Sequence, residues 1–170
     1  MMDQNIETIF SIASYRNAVY ILFLLVALMV ERKVSSIIVT LLILTIGENS
    51  SNVLTHTLLE LARKPGLEYK FVWYGSWTLY SLISIYLIYL LHVKLKLRAS
   101  SGAKFLSLMM LVFALFQVID FVDRATWDTA YFAVFYQYGI VIGNLMITPM
   151  LLFFWLRDIH KERFKKYEEA

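Results

Sequence analysis

Apolar segments dominate this sequence, and five of them approach or exceed the length needed to cross a lipid bilayer. They run from about residue 10 to 30, 34 to 46, 71 to 93, 105 to 122 and 131 to 156. A membrane-spanning α-helix needs about 20 mostly apolar residues. Hydrophobic residues form 59% of the chain and charged residues only 17%. So few charged residues could not keep so large an apolar surface soluble in water. The sequence predicts an all-α integral membrane protein, with residues 1–156 forming a compact bundle of about five transmembrane helices.

The second segment differs from the others because its apolar run stops at Ile46, short of a full span. The next six residues, GENSSN at positions 47–52, have the composition of a turn, and apolar residues return only at Val53. The helix either continues through this patch with its polar side facing protein, or breaks there with unwound backbone lining a cavity. We favour the continuous helix.

Basic residues are distributed unevenly between the two sides of a five-span bundle. Most of the 16 Lys and Arg residues fall in the turn after the first span, in the loop 94–104 and in the tail 157–170. Because cytoplasmic loops carry the excess of basic residues, the N-terminus is predicted to lie outside and the C-terminus in the cytoplasm. Residues 157–170 are predicted to be a basic, helical cytoplasmic tail, and the plasma (inner) membrane is the expected location.

Polar side chains inside the predicted spans fall on single helical faces, given the rotation of about 100° per residue. Most of them lie in the half of the bundle predicted to be outer. They are Glu48, Asn49, Asn52 and His56 on helix two, Gln117, Asp120 and Arg124 on helix four, and Gln137 and Asn144 on helix five.

These polar faces have two interpretations. They can form a binding or ion-coupling vestibule that opens outward and ends near Glu48, or they can hold the helices together through hydrogen bonds and ion pairs. Glu48 has no basic residue at helical spacing, so we expect a lone carboxylate with a functional role. Asp120 and Arg124 are four residues apart, which favours a structural ion pair.

Two further patterns concern packing and anchoring. Gly139 and Gly143 form a G-x-x-x-G motif, which permits close approach of another helix from the same chain or from a second copy. Aromatic residues that include Trp73 and Trp77 gather near the start of helix three. They are interpreted as anchors at the lipid headgroups, with an aromatic cage for a cation as the alternative.

Several classes of site lack their sequence signatures. There is no cysteine, no H-E-x-x-H or Glu-x-x-His motif, no P-loop, no G-x-G-x-x-G and no G-x-S-x-G. We therefore predict no enzyme activity, no metal site, no cofactor and no nucleic-acid partner.

The expected function is that of a small membrane-embedded subunit for binding, sensing, ion conduction or transport. Its expected partners are the lipid bilayer and either further copies of itself or a larger membrane protein. One alternative is an accessory or assembly subunit of a larger membrane complex that uses its polar residues as interhelical contacts. Another is a holin-like or toxin-like pore former.

Overall fold

The computed structural model contains five α-helices over the part of the chain that it describes. That part comprises the backbone of residues 2–126 and 132–168 and the side chains of residues 15–126 and 132–161. No strand occurs within it. The helices are α1 (Met2–Glu31), α2 (Ser36–Ala62), α3 (Leu67–Lys94), α4 (Ser101–Thr126) and α5 (Ala133–Glu168).

Four of the helices have the length and composition of membrane spans. These are α2, α3, α4 and the segment Ala133–Lys161 of α5. The 27 residues of α2 extend about 40 Å, which exceeds the roughly 30 Å hydrocarbon core. An integral membrane protein is therefore indicated. The sequence also predicts that α1 crosses the membrane. This segment is helical, but the side chains of its first half lie outside the described residues, so its spanning stays a prediction.

Helix α2 is the central element of the bundle. Consecutive helices pack against each other along the chain, and α2 also contacts α4. The Trp155 side chain connects α5 to α1, because its ring lies 5.4 Å from that of Phe23 and its Nε1 donates a hydrogen bond of 2.9 Å to Glu31. Leu41 and Leu44 of α2 belong to the buried apolar core of the bundle. The same core contains Leu106 of α4 and Leu151 of α5.

The predicted continuous helix across residues 47–52 is confirmed. Its hydroxyl groups bond to the backbone of their own helix, as Ser51 does to the carbonyl of Glu48 at 2.9 Å and Thr55 to the carbonyl of Ser51 at 2.7 Å. Gly47 gives Tyr80 of α3 room to approach, because a Cβ atom there would lie 2.5 Å from the Tyr80 hydroxyl oxygen. These bonds satisfy the hydroxyl groups without interrupting the helix, and the close contact with α3 fits a continuous helix through a stretch whose composition is typical of a turn.

Helix α4 continues to Thr126, beyond the end near residue 122 that the apolar segment predicts. Asp123 is buried and accepts a hydrogen bond of 3.2 Å from the backbone N–H of Phe132, so it connects the end of α4 to the residue before α5. Residues 127 and 128 lie outside the described residues. Helix α3 begins at Leu67 rather than near Phe71, and the predicted helical continuation beyond Leu156 is confirmed.

The two ends of the bundle differ in chemistry, and two names are used for them below. The basic end comprises the α1–α2 turn, the α3–α4 loop and residues 157–161 of α5. The polar half is the opposite half, which contains Glu48 and Asp120.

The glycines of the G-x-x-x-G motif pack against aromatic rings of α4. A Cβ atom at Gly139 would overlap the Phe116 ring, and one at Gly143 would lie 2.5 Å from Phe113. The close approach expected from the motif therefore takes place within the chain and is made by side chains rather than by a second backbone.

We expect Gly143→Ala to lower the free energy of unfolding by about 1–2 kcal/mol, because the added methyl group overpacks the site of the buried Phe113 ring. Denaturant titration in detergent micelles measures the change. Gly75→Ala is the matched control, since a Cβ there meets only Phe71 at an ordinary 3.9 Å. Adding Phe113→Leu to Gly143→Ala should recover part of the loss. Equal effects of the two alanine substitutions would contradict the packing role.

Candidate functional site

A cavity of about 210 Å³ lies in the polar half, and all five helices contribute to its lining. It combines one acidic and one basic side chain with hydroxyl groups, amides and aromatic rings. Besides Met110 and Ile140, the lining residues are Arg16, Glu48, Ser51, Asn52, Thr55, Trp73, Trp77, Tyr80, Ser81, Phe113, Gln117, Tyr136 and Asn144.

Glu48 and Arg16 form an ion pair in the lining of this cavity. The Glu48 side chain is 6% exposed and that of Arg16 is 25% exposed. Beside this pair, the Asn17 amide donates to Asn49 Oδ1 at 2.6 Å, which makes a second polar link between α1 and α2. The prediction that Glu48 is a lone carboxylate is therefore wrong. Its cation comes from α1, and the spacing of residues along α2 could not reveal a partner on another helix.

Two residues that line the cavity each have a buried hydrogen-bond donor with no acceptor among the described residues. The two donors are Nε of Arg16 and the indole Nε1 of Trp77. Most buried polar groups in proteins are paired, because leaving a donor unpaired costs about 1–3 kcal/mol. Both side chains have a donor that forms no hydrogen bond within the described residues.

Aromatic rings of α3 form a wall of the cavity. The ring centres of Trp73 and Trp77 are 5.6 Å apart, and those of Trp77 and Tyr80 are 6.0 Å apart. The sequence interpretation placed the two tryptophans at the lipid headgroups, whereas their half-buried rings line the protein interior. A molecule in this cavity would contact extended apolar surface beside the ion pair.

Asp120 lies behind the cavity and is fully buried. Its Oδ2 accepts hydrogen bonds from the Tyr74 hydroxyl and from Arg124 Nε, the latter at 3.1 Å. The structure thus contains the Asp120–Arg124 pair and adds Tyr74 to it. Nearby, the Tyr136 hydroxyl donates to Gln117 Oε1 at 3.0 Å. These contacts join α3, α4 and α5 and are structural in character.

The polar residues predicted from helical faces divide into two groups. Glu48, Asn52, Gln117 and Asn144 line the cavity, although Asn144 Nδ2 also donates to its own helix at the Ile140 carbonyl, at 2.9 Å. The others do not line it: Asp120 and Arg124 belong to the network described above, and three more have exposed side chains, of which Asn49 bonds to Asn17 of α1. These three are Asn49, His56, which lies 3.4 Å from Glu60, and Gln137.

Some residues of the cavity were missed by the sequence prediction. Arg16 is not among them, because its charge at the outer end of the first apolar segment, next to Asn17, already places it with the polar residues of the predicted outer half. Ser81 and Tyr136 gave no signal, because a single hydroxyl group in an apolar helix is ordinary. Within the described residues, no group of three or more His, Asp or Glu side chains is arranged to hold a metal ion.

Comparisons with known proteins return no match to a protein-family model, to a curated protein or to a solved structure. The cavity and its side chains are therefore the basis for assigning a function.

Proposed function

We propose that this chain is a small membrane-embedded binding or transport protein whose cavity in the polar half takes a small organic molecule with a hydrogen-bond-accepting head group. A carboxylate or a carbonyl group is the head group that the site favours. The observation that carries the proposal is the Arg16–Glu48 ion pair, which lies beside the Trp73 and Trp77 rings in the lining of one cavity. The Trp77 side chain also has an indole N–H without an acceptor among the described residues. In the orientation expected from the basic residues, this cavity faces the outside of the plasma membrane.

The charge of the site favours the same class of ligand. Glu48 neutralises Arg16, and Asp120 neutralises Arg124, so no excess negative charge is available to attract a cation. A ligand carboxylate can compete with Glu48 for the Arg16 guanidinium, which accommodates planar carboxylates through its fork of N–H donors. The aromatic wall would hold the apolar body of the ligand.

Ion conduction through a single chain is less well supported. Towards the basic end, the bundle closes into the apolar core around Leu41, Leu44 and Leu151, which are at most 1% exposed. A binding site that closes at one end is typical of a carrier or a sensor in one of its states.

Three probes that share a phenyl ring and differ in head group test the proposal: 3-phenylpropionate, 3-phenylpropionamide and 2-phenylethylamine. Thermal unfolding of the detergent-purified protein is the measurement, since a ligand that binds only the folded state raises the melting temperature. The acid and the amide should raise it and the amine should not. Trp77→Phe, which keeps a ring but removes the indole N–H, should weaken binding of the acid. Stabilisation by the amine alone would contradict the proposal and favour cation binding at Glu48.

An accessory role in a larger membrane complex is the second candidate, and Gln137 favours it. This amide is exposed on α5, on the same face as the exposed Val134 and Val141. A polar side chain on an apolar helix surface finds a hydrogen-bond partner most readily on another helix. A protein mass above that of one 19.9 kDa chain in detergent, together with no response to the three probes, would favour this role.

A further inference from the structure

A second cavity, of about 620 Å³, lies at the basic end and shares no lining residue with the first. It is formed by the α1–α2 turn, the α3–α4 loop, the starts of α2 and α4, and the end of the described part of α5. Four cationic side chains line it: Lys33, Arg98, Lys104 and Lys161.

The acidic side chains of this cavity do not balance the four cations. Asp158 lies 3.2 Å from Arg157, which neutralises it, whereas Glu31 accepts a hydrogen bond from the neutral Trp155 indole and keeps its charge. One carboxylate thus faces four cations. None of the four cationic side chains forms an ion pair within the described part of the chain. The cavity therefore has an excess of positive charge.

Two helix starts meet at the same cavity. The Ser36 hydroxyl, at the start of α2, accepts a hydrogen bond of 2.9 Å from the backbone N–H of Ser100, which directly precedes α4. The same hydroxyl lies 2.7 Å from Nε2 of the buried His92, so α3 holds the two starts side by side. The first-turn N–H groups of a helix lack partners within it and carry partial positive charge.

One side chain gives independent support for a ligand at this place. The Ser35 hydroxyl oxygen is buried, belongs to a residue that lines the cavity, and has no hydrogen-bond partner among the described residues. Ser35 precedes α2 but makes no side-chain bond to the first turn of the helix. Its hydroxyl group therefore has no hydrogen bond to give up if the side chain turns towards the cavity.

We propose that this cavity binds a phosphate group. The several oxygen acceptors and the negative charge of a phosphate match the excess of cationic side chains and the two helix starts at this cavity. The predicted position of this end, at the headgroup level of the cytoplasmic leaflet, allows two sources: the headgroup of an anionic phospholipid or a soluble phosphate compound.

Thermal unfolding of the full chain in a neutral detergent tests the proposal with three probes. Dioctanoyl phosphatidylglycerol contains the phosphate group, dioctanoylglycerol is the matched lipid without it, and inorganic phosphate represents the soluble source. The phospholipid should raise the melting temperature and dioctanoylglycerol should not. If inorganic phosphate without phospholipid also raises the melting temperature, the site takes soluble phosphate compounds as well.

Substitutions at the cavity decide whether the effect arises there. Arg98→Gln combined with Lys104→Gln should weaken the phosphate-dependent response, by roughly tenfold in affinity for each cation removed. Lys64→Gln combined with Lys70→Gln removes the same charge at the opposite end and should leave the response intact. No response to either phosphate probe would overturn the proposal, and so would a response that survives Arg98→Gln/Lys104→Gln or disappears equally in the control.

Discussion

Arg16→Gln is expected to lower the free energy of unfolding by about 3 kcal/mol and to abolish binding of 3-phenylpropionate. The substitution leaves the Glu48 carboxylate, whose side chain is 6% exposed, without its cation. Removing one partner of a buried ion pair typically costs about 3–5 kcal/mol. The lower end applies here because a quarter of the Arg16 side chain is exposed. Titration of unfolding in mixed micelles measures the first effect, and the thermal shift with the probe measures the second.

Glu48→Gln should behave differently, and this contrast makes the test specific. It leaves the partly exposed Arg16, which can reach water, so we expect a loss of only about 1 kcal/mol. Binding of the carboxylate probe should persist or strengthen, because the competitor for Arg16 has been removed. The double variant Arg16→Gln/Glu48→Gln should be more stable than Arg16→Gln alone. Additive losses in stability would show that the two side chains do not interact, and unchanged binding in Arg16→Gln would contradict the proposed function.

Asp120→Ala is expected to cost about 3–4 kcal/mol of unfolding free energy, while its effect on ligand binding should be indirect. The substitution removes the acceptor of both the buried Tyr74 hydroxyl and Arg124. Asp120→Asn should cost less, about 2 kcal/mol, because an amide oxygen can still accept and Oδ1 of Asp120 has no hydrogen-bond partner in the described structure. The same mixed-micelle titration gives both values.

Two further variants check that the loss comes from this network. Asp158→Asn changes a half-buried carboxylate that also has an arginine neighbour, and it should alter stability by less than about 1 kcal/mol. Tyr74→Phe should be less harmful in the Asp120→Ala background than in the wild type, because the hydroxyl group has then already lost its acceptor. A small effect of Asp120→Ala, similar to that of Asp158→Asn, would rule out a structural role for the network.

The helical architecture could be predicted from the sequence because lipid imposes it. A long apolar segment in a bilayer must satisfy its backbone hydrogen bonds internally, so helix number and approximate boundaries follow from composition. Helical periodicity also grouped Glu48 with Asn52 and Gln117 with Asp120 on common faces, and three of these four line the cavity. Because helical periodicity describes one helix at a time, it correctly predicted which residues of the same helix share a face.

Contacts between helices could not be predicted in this way. Arg16 and Glu48 are 32 residues apart, and their pairing depends on the relative height and rotation of α1 and α2. The exposed positions of His56 and Gln137 have the same origin, since a polar face does not reveal which part of it a neighbouring helix covers. Gly47 is a further case. In the sequence it contributes to a stretch with the composition of a turn, whereas in the structure its lack of a side chain allows Tyr80 of α3 to pack closely against α2.

The ion pair between α1 and α2 also bears on how the protein is made. During synthesis α1 emerges before α2, so Arg16 reaches the membrane before its carboxylate exists. An arginine within a lone apolar helix opposes transfer into lipid, whereas a helical hairpin that already contains both charges is close to neutral. The four residues between Glu31 and Ser36 allow such a hairpin to form as soon as α2 has been translated. The two helices would then leave the insertion machinery together, as one unit.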